Sequence, residues 1–179
     1  MPADAAPSFL YVPDLPGAPG VFNLPADEGR YLARVCRARV GDRATVTDGR
    51  GAIAEVRVTD LGAATRVEIE RIERRAPARG AWVLSGPPEG ERTDWLIEKL
   101  AELGISVWQP IDCRVGKWQR AGARRARWER LAVAALRQSR RCHLMEIRDP
   151  VALGAAVAGL PDGAHRWLAT PRGGGYRPA

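Results

Sequence analysis

The chain has 179 residues, 45% of them hydrophobic, and a formal net charge of +7. That length allows one large domain or two small ones, each able to bury a core, and the lack of any apolar run near 18 residues excludes a membrane-spanning helix. Cys36, Cys113 and Cys142 are widely spaced with no C-x-x-C pair, and the only histidines are His143 and His165, which excludes a zinc ribbon, a bound metal and a disulfide framework.

The N-terminal MPADAAPSFLYVPD carries acid and proline where a signal peptide needs a basic patch and an apolar core, so a cytoplasmic location is expected. Within it, SFLYV (8–12) predicts a strand, and the Pro/Gly-rich residues 13–20 predict a loop. After Pro25, residues 27–39 predict a helix. Leu32, Val35 and Cys36 fall at i, i+3 and i+4 as a buried stripe, with Arg30, Arg34 and Arg37 outside; Gly41-Asp42 ends it.

Alternation follows. Val46 precedes an Asp48-Gly49 turn, after which Ala52, Ala54, Val56 and Val58 alternate with Ile53, Glu55, Arg57 and Thr59, predicting a hairpin with one buried face. Residues 66–72 predict a further strand through Val67 and Ile69. Short strands and one helix in so few residues predict a small β-barrel-like domain, and the charged run ERRAPARG (73–80) marks its boundary.

Residues 81–110 read as a β-α-β unit: an apolar run (81–84), a Gly-Pro-Pro break, a helix over 93–103, a Gly104 stop, and a second strand (105–111). Such a unit implies parallel strands with helices packed on the sheet. Thr93 or Asp94 would cap the helix, Leu96, Leu100 and Leu103 would form its buried line, and Trp95 would flank it. Glu98, Lys99 and Glu102 read as a solvated face. The loop CRVGKWQRAG (113–122) leads into a helix over 123–141. With Trp128 at zero, Leu131, Ala132, Ala135 and Leu136 share its face, while Arg130, Arg137 and Arg141 gather at the opposite pole.

The overall positive charge suggests a polyanionic partner, most simply nucleic acid. Only Lys99 and Lys117 among the basic residues are lysines, in a chain also rich in Ala, Gly and Pro, a bias that a GC-rich genome produces without functional cause. Position argues further than the total: residues 114–141 hold ten basic residues and one acid, Glu129. Phosphate contacts are expected from Arg114, Lys117, Arg130, Arg137 and Arg141. Trp118 would stack on an unpaired base or anchor its loop. Cys142 and His143 are adjacent, but neighbours on a strand point to opposite faces, which argues against a nucleophilic pair. The remainder predicts a strand in HLMEIRD, a helix over 151–158, a turn at Pro161-Asp162-Gly163, and a last strand over 166–169. The Gly173 to Gly175 run lacks the following helix that a phosphate loop needs.

Taken together, these residues resemble the RsmE-type 16S ribosomal RNA uridine N3-methyltransferases, knotted enzymes of the SPOUT class with an N-terminal PUA-like RNA-binding barrel. The correspondence runs through SFLYV, RVCRARVGD, the turn at Asp48, ERTDWLIEKLAELGI with the following QP, Cys113-Arg114 with Lys117, and RWERLAVAALRQSRR leading to MEI. Its most specific pieces are WLIEKLAELG and Gln138-Ser139 followed by Arg141. The family usually carries Glu, Gly and Pro where this chain has Arg137, Arg140 and Met145. It also continues for about 60 further residues, in keeping with ordinary domain sizes, through a GPEGG-like loop and an LG-x-R-x-LR-x-ETA-like segment that form the trefoil knot and cofactor pocket. Neither occurs here; Gly86-Pro87-Pro88-Glu89-Gly90 looks like the loop but precedes the ELG helix.

The resemblance implies an α+β two-domain chain: a PUA-like barrel (1–74), a linker (75–80) and an incomplete α/β SPOUT domain (81–179). It implies S-adenosylmethionine-dependent methylation of a uridine at N3 in 16S ribosomal RNA, in ribosome biogenesis and as a homodimer. RNA would be held by Arg34, Arg37, Arg114, Lys117, Arg130, Arg137 and Arg141, and the cofactor rim would include Leu168, Thr170 and Pro171. No general base is assigned. The alternatives are a truncated, non-catalytic RNA-binding relative, or a fragment or frameshifted product in which TPRGGGYRPA is a scar.

Overall fold

The computed structural model describes residues 8–77, 80–86, 88, 92–113 and 121–169, with side chains from 124 onward in the last of these. Arg114, Lys117, Trp118, Thr170, Pro171, the glycines at 173–175 and most of the Gly-Pro-Pro-Glu-Gly loop lie outside the described residues.

The first half is organised on β1 (Ser8–Tyr11), β2 (Gly20–Asn23), β3 (Arg43–Thr47), β4 (Ala52–Leu61) and β5 (Thr65–Arg74). They form one sheet in the order β1-β3-β4-β5-β2, antiparallel throughout except where β1 runs parallel to β3. Alternation decides the faces as expected: Ala52, Ala54, Val56 and Val58 are buried, whereas Glu55 and Thr59 are exposed. With Leu10, Val12, Val46, Val67 and Ile69 they make the first core. No sequence pattern marks β2, an edge strand in which Phe22 packs inward and Val21 is exposed; four residues with one packed side chain carry too little pattern.

The expected helix over 27–39 is shorter and changes type. A helical turn, α1 (Ala26–Arg30), runs into a π-helical turn at Tyr31–Val35. Wider winding shifts the phase of the following residues: Leu32 is buried as expected, Cys36 is half-buried, and Val35 is 67% exposed.

The second half contains β6 (Trp82–Ser85), α2 (Arg92–Leu103), β7 (Val107–Asp112), α3 (Ala121–Ser139), β8 (Glu146–Ile147), β9 (Val151–Ala152) and α4 (Leu153–Ala158). The β6-α2-β7 unit is parallel as expected, from Trp82 opposite Val107 to Ser85 opposite Pro110. The inward line of α2 differs from the expected one: Thr93, Ile97, Leu100 and Ala101 are buried, while Leu103 is exposed. Leu103 lies about 120° around the helix from Ile97 at 100° per residue, outside the covered arc. On α3 the expected face holds, with Trp128, Ala132, Ala135 and Leu136 all buried. Trp128 meets Trp108 edge to face at 5.3 Å, and Trp108 Nε1 donates to Ser85 Oγ at 3.0 Å. Two buried indoles at this contact make it the most costly part of the second core to truncate.

Pro110 marks the point where β7 divides its partners. β7 pairs with β8 at Val107 and Trp108 and with β9 at Ile111 and Asp112, and Pro110 between them, although it stays opposite Ser85 of β6, has no N-H to donate. The buried Gln109 side chain fills the gap, its Nε2 donating to the carbonyls of Pro110 at 2.9 Å and Asp149 at 2.7 Å. Beyond β7 the sequence expectations fail in part. HLMEIRD contributes only the two residues of β8, and 151–158 divides between β9 and α4. Residues 166–169 form no strand, since β-propensity alone does not make one.

Candidate nucleic-acid interface

The two halves meet at the Asp48-Gly49 turn. The buried Asp48 carboxylate accepts from the backbone N-H of Arg50 at 2.7 Å and of Ala52 at 2.9 Å, an arrangement that aspartate favours at a turn. The turn grips the segment after α3: Gly51 N-H donates to the Cys142 carbonyl and Leu144 N-H to the Gly49 carbonyl, both at 2.8 Å. Gly49 and Gly51 have φ of +71° and +101°, in the left-handed region that glycine tolerates. Because 142–143 form a bend and a single bridge rather than a strand, Cys142 and His143 do not point apart: Sγ lies 3.5 Å from Nδ1, contrary to the strand argument.

A second contact joins α1 to α3 and changes the reading of the basic helix. Arg137, expected on an open pole, is half-buried and ion-paired with Glu28, a carboxylate almost wholly out of water. Its guanidinium lies 5.6 Å from the centre of the Tyr31 ring. Burial draws the Arg137 pKa down, opposed by Asp27, although an arginine keeps its charge at neutral pH. The pole opposite Trp128 is thus covered in part by the first half of the chain, which helical geometry within α3 does not reveal.

Acids from elsewhere also neutralise α3. Arg125 pairs with Glu129 at 2.9 Å and with Asp149 at 2.7 Å, and Arg127 reaches Asp94 at 2.7 Å. The dearth of acids within 114–141 is therefore made up partly from α2 and the strand exits. Arg124 and Arg130 remain exposed with no ion pair to a described residue. Arg34 and Arg37 are exposed on the π turn and just after it. Arg141 is exposed, but its Nε donates to the Glu102 carbonyl at 2.9 Å, capping the end of α2.

Sequence reasoning missed a groove of about 420 Å³ where the exit of β5 passes the ends of α2 and α3, lined by Arg75, Arg140, Arg141, Ser106, Ser139 and His143 among others. Its members are far apart in sequence, so no spacing marks it. The signal available was the Arg140-Arg141 pair at a helix end. By contrast, the expected cofactor rim is not assembled among the described residues: Leu168 is 90% exposed and Trp167 68% exposed.

Comparison with known proteins gives this geometry a context. An RNA methyltransferase domain family matches residues 75–177, and an RNA methyltransferase PUA domain family matches residues 24–70. A ribosomal RNA small subunit methyltransferase E from Mycobacterium bovis is 31% identical over 175 residues, covering 87% of this chain and 67% of that protein. Among solved structures, a ribosomal RNA small subunit methyltransferase E from Neisseria gonorrhoeae bound to S-adenosyl methionine superposes with a TM-score of 0.77 at 25% identity, covering 87% of this chain and 66% of that one. A probable rRNA-methyltransferase from Porphyromonas gingivalis gives 0.75 at 28% identity, with 88% and 66% covered. The chain thus spans about two thirds of the length of these relatives. With both domain families matched in order, and a relative of this identity aligned along most of its length, the chain belongs to the family of ribosomal RNA small subunit methyltransferase E.

Proposed function

We propose that this chain acts in the S-adenosylmethionine-dependent methylation of a uridine at N3 in 16S ribosomal RNA, as a cytoplasmic homodimer serving ribosome biogenesis. The observation that carries the RNA part is the set of cations left exposed once internal ion pairs are discounted: Arg124 and Arg130 on α3, Arg141 at its exit, and Arg34 and Arg37 beside the π turn. Arg114 and Lys117, which lie outside the described residues, are kept in the proposal on the sequence pattern alone. Arg137 is left out, because its charge is spent on Glu28. The proposed layout is a PUA-like domain over 1–74, a linker over 75–80 and a methyltransferase domain of the knotted type from 81. It is supported by two separate cores and by the gap between β5 and β6.

Methyl transfer to N3 requires the base to leave its stack and lose a proton while the donor is held in line, so positioning would dominate the catalysis. Leu168 of the expected rim is exposed, and no chemical step is assigned to the described residues. That same observation favours a second reading, an RNA-binding relative without catalysis. Calorimetry of this chain with S-adenosylmethionine separates the two. Micromolar binding ends the second reading; no heat up to millimolar cofactor ends the first for this chain.

The RNA surface has its own test. Arg130→Ala is expected to flatten the log-log dependence of affinity on salt, for a ribosomal RNA hairpin, by about 0.7 to 0.9, while Arg137→Ala leaves that slope alone and costs stability. Equal slopes for wild type and Arg130→Ala would remove α3 from the interface.

A further inference from the structure

We propose that Cys142 and His143 form a nucleophilic thiol-imidazole pair, and that Cys142 is a modification site for small disulfides. The pair stands outside the RNA reading and does not depend on it. Cys142 Sγ lies 3.5 Å from His143 Nδ1, close enough for the imidazole to take the thiol proton, and the contact exists because residues 142–143 bend instead of running as a strand. Both residues line the groove of about 420 Å³ where the β5 exit passes the ends of α2 and α3, a volume in the range of small-molecule sites. A thiolate, not a thiol, is the nucleophile, and an imidazole and a cation beside the sulfur favour that form. The cation is Arg75. Its pKa is held above the ordinary value first by the hydrogen bond to Glu73 and in smaller part by Cys142, which puts guanidinium and sulfur within electrostatic reach of each other.

The far side of the imidazole adds an independent argument. His143 Nε2 is buried and has no hydrogen-bond partner among the described residues, an unusual state for a buried polar atom. It and the Arg75 carbonyl oxygen approach the same side of Gly51, 2.8 Å and 2.4 Å from the point where a Cβ would stand, and only glycine leaves that point empty. An imidazolium that holds the thiol proton at Nδ1 also carries a proton on Nε2, for which this carbonyl is an acceptor. Sulfur, imidazole and carbonyl thus follow the order of nucleophile, base and orienting group. In the reaction the thiolate attacks one sulfur of a disulfide: a bond forms between Cys142 and the ligand sulfur, the ligand's own S-S bond breaks, and the departing thiolate takes the proton held at Nδ1. The other cysteines lack these neighbours. Cys36 is hydrogen-bonded to Tyr31 and Cys113 Sγ lies 3.9 Å from the Ile111 carbonyl, and neither group is a base for a thiol. Both are nonetheless less buried than Cys142.

The expected order of reaction is therefore the reverse of the order of exposure. The whole chain is treated with oxidised glutathione near neutral pH, folded and in urea, and each cysteine is followed by peptide mass mapping. In the folded chain Cys142 is expected to gain one glutathionyl group before Cys36 and Cys113, and faster than the same residue does in urea; dithiothreitol removes it. His143→Gln is expected to slow the reaction at Cys142 by about tenfold, since an unassisted thiol is only a few per cent ionised near neutral pH, and to leave Cys36 and Cys113 unchanged. A substitution that merely loosened the bend would uncover the sulfur and raise its rate, so the direction of the change separates the base from the fold. Cys36 or Cys113 reacting ahead of Cys142 in wild type, or no gain at Cys142 over the unfolded chain, overturns the site without recourse to any variant. A rate in His143→Gln equal to or above that of wild type overturns the pair.

Discussion

Glu28 and Arg137 lie 109 positions apart and meet where α1 touches α3, with Tyr31 against the guanidinium. A carboxylate this deeply buried is tolerable only with its cation in place, because an uncompensated buried charge costs several kcal/mol. Arg137→Ala is therefore expected to destabilise the chain by about 3 kcal/mol in urea unfolding, and Arg137→Ala with Glu28→Leu to recover most of that loss. If the double variant were no more stable than the single one, the cost would lie in packing rather than in the orphaned charge. Neither residue is marked in the sequence: Glu28 reads as an acid in a first helical turn and Arg137 as one arginine in a basic helix. Only the approach of two helices assigns them to each other.

At the scale of elements, the β4-β5 hairpin shows how much a local pattern can decide. Alternation located both strands and their buried faces, and the turn end is fastened by Asp60, which accepts from Arg66 Nη2 at 2.7 Å and from Gly62 N-H at 2.9 Å. The Arg66 bond first, then the Gly62 N-H, hold the Asp60 pKa below the ordinary 3.8. A carboxyl with a lowered folded pKa adds stability above its unfolded value and loses it as pH falls through the folded one. Asp60→Asn should thus flatten the decline in Tm below about pH 4 and have less effect on its pH dependence near neutrality; an acid limb identical to wild type would show the contact to be inert. The pattern was less informative where helices change type or strands are very short. The π turn moved Val35 out of the core, Leu103 fell outside the arc of α2 that the sheet covers, and β8 and β9 are only two residues each, meeting β7 on either side of Pro110.

Across the whole molecule the two halves are joined at the Asp48 to Gly51 turn, which holds the residues after α3, as well as at the Glu28-Arg137 pair. A Cβ at position 51 would lie 2.4 Å from the Arg75 carbonyl oxygen and 2.8 Å from His143 Nε2, at a φ that resists side chains. All six tryptophans lie at position 82 or later, so their fluorescence reports the second core, whereas far-UV circular dichroism reports both. Wild type is expected to lose both signals at one denaturant concentration. Gly51→Ala is expected to separate them and to cost about 2 to 4 kcal/mol. Coincident transitions in the variant would show that the turn does not couple the halves.

The sequence by itself determined the β-α-β unit, the hairpin faces and the Trp128 face of α3, because periodicity records which side of an element meets a core. It also carried the family resemblance, through motifs kept in order along the chain. The tertiary structure decided which arginines are available. An ion pair depends on what lies across the contact, so Arg125, Arg127 and Arg137 were claimed by acids from other elements. Arg75, Arg140 and Arg141 were brought into one groove by the ends of two helices and a strand.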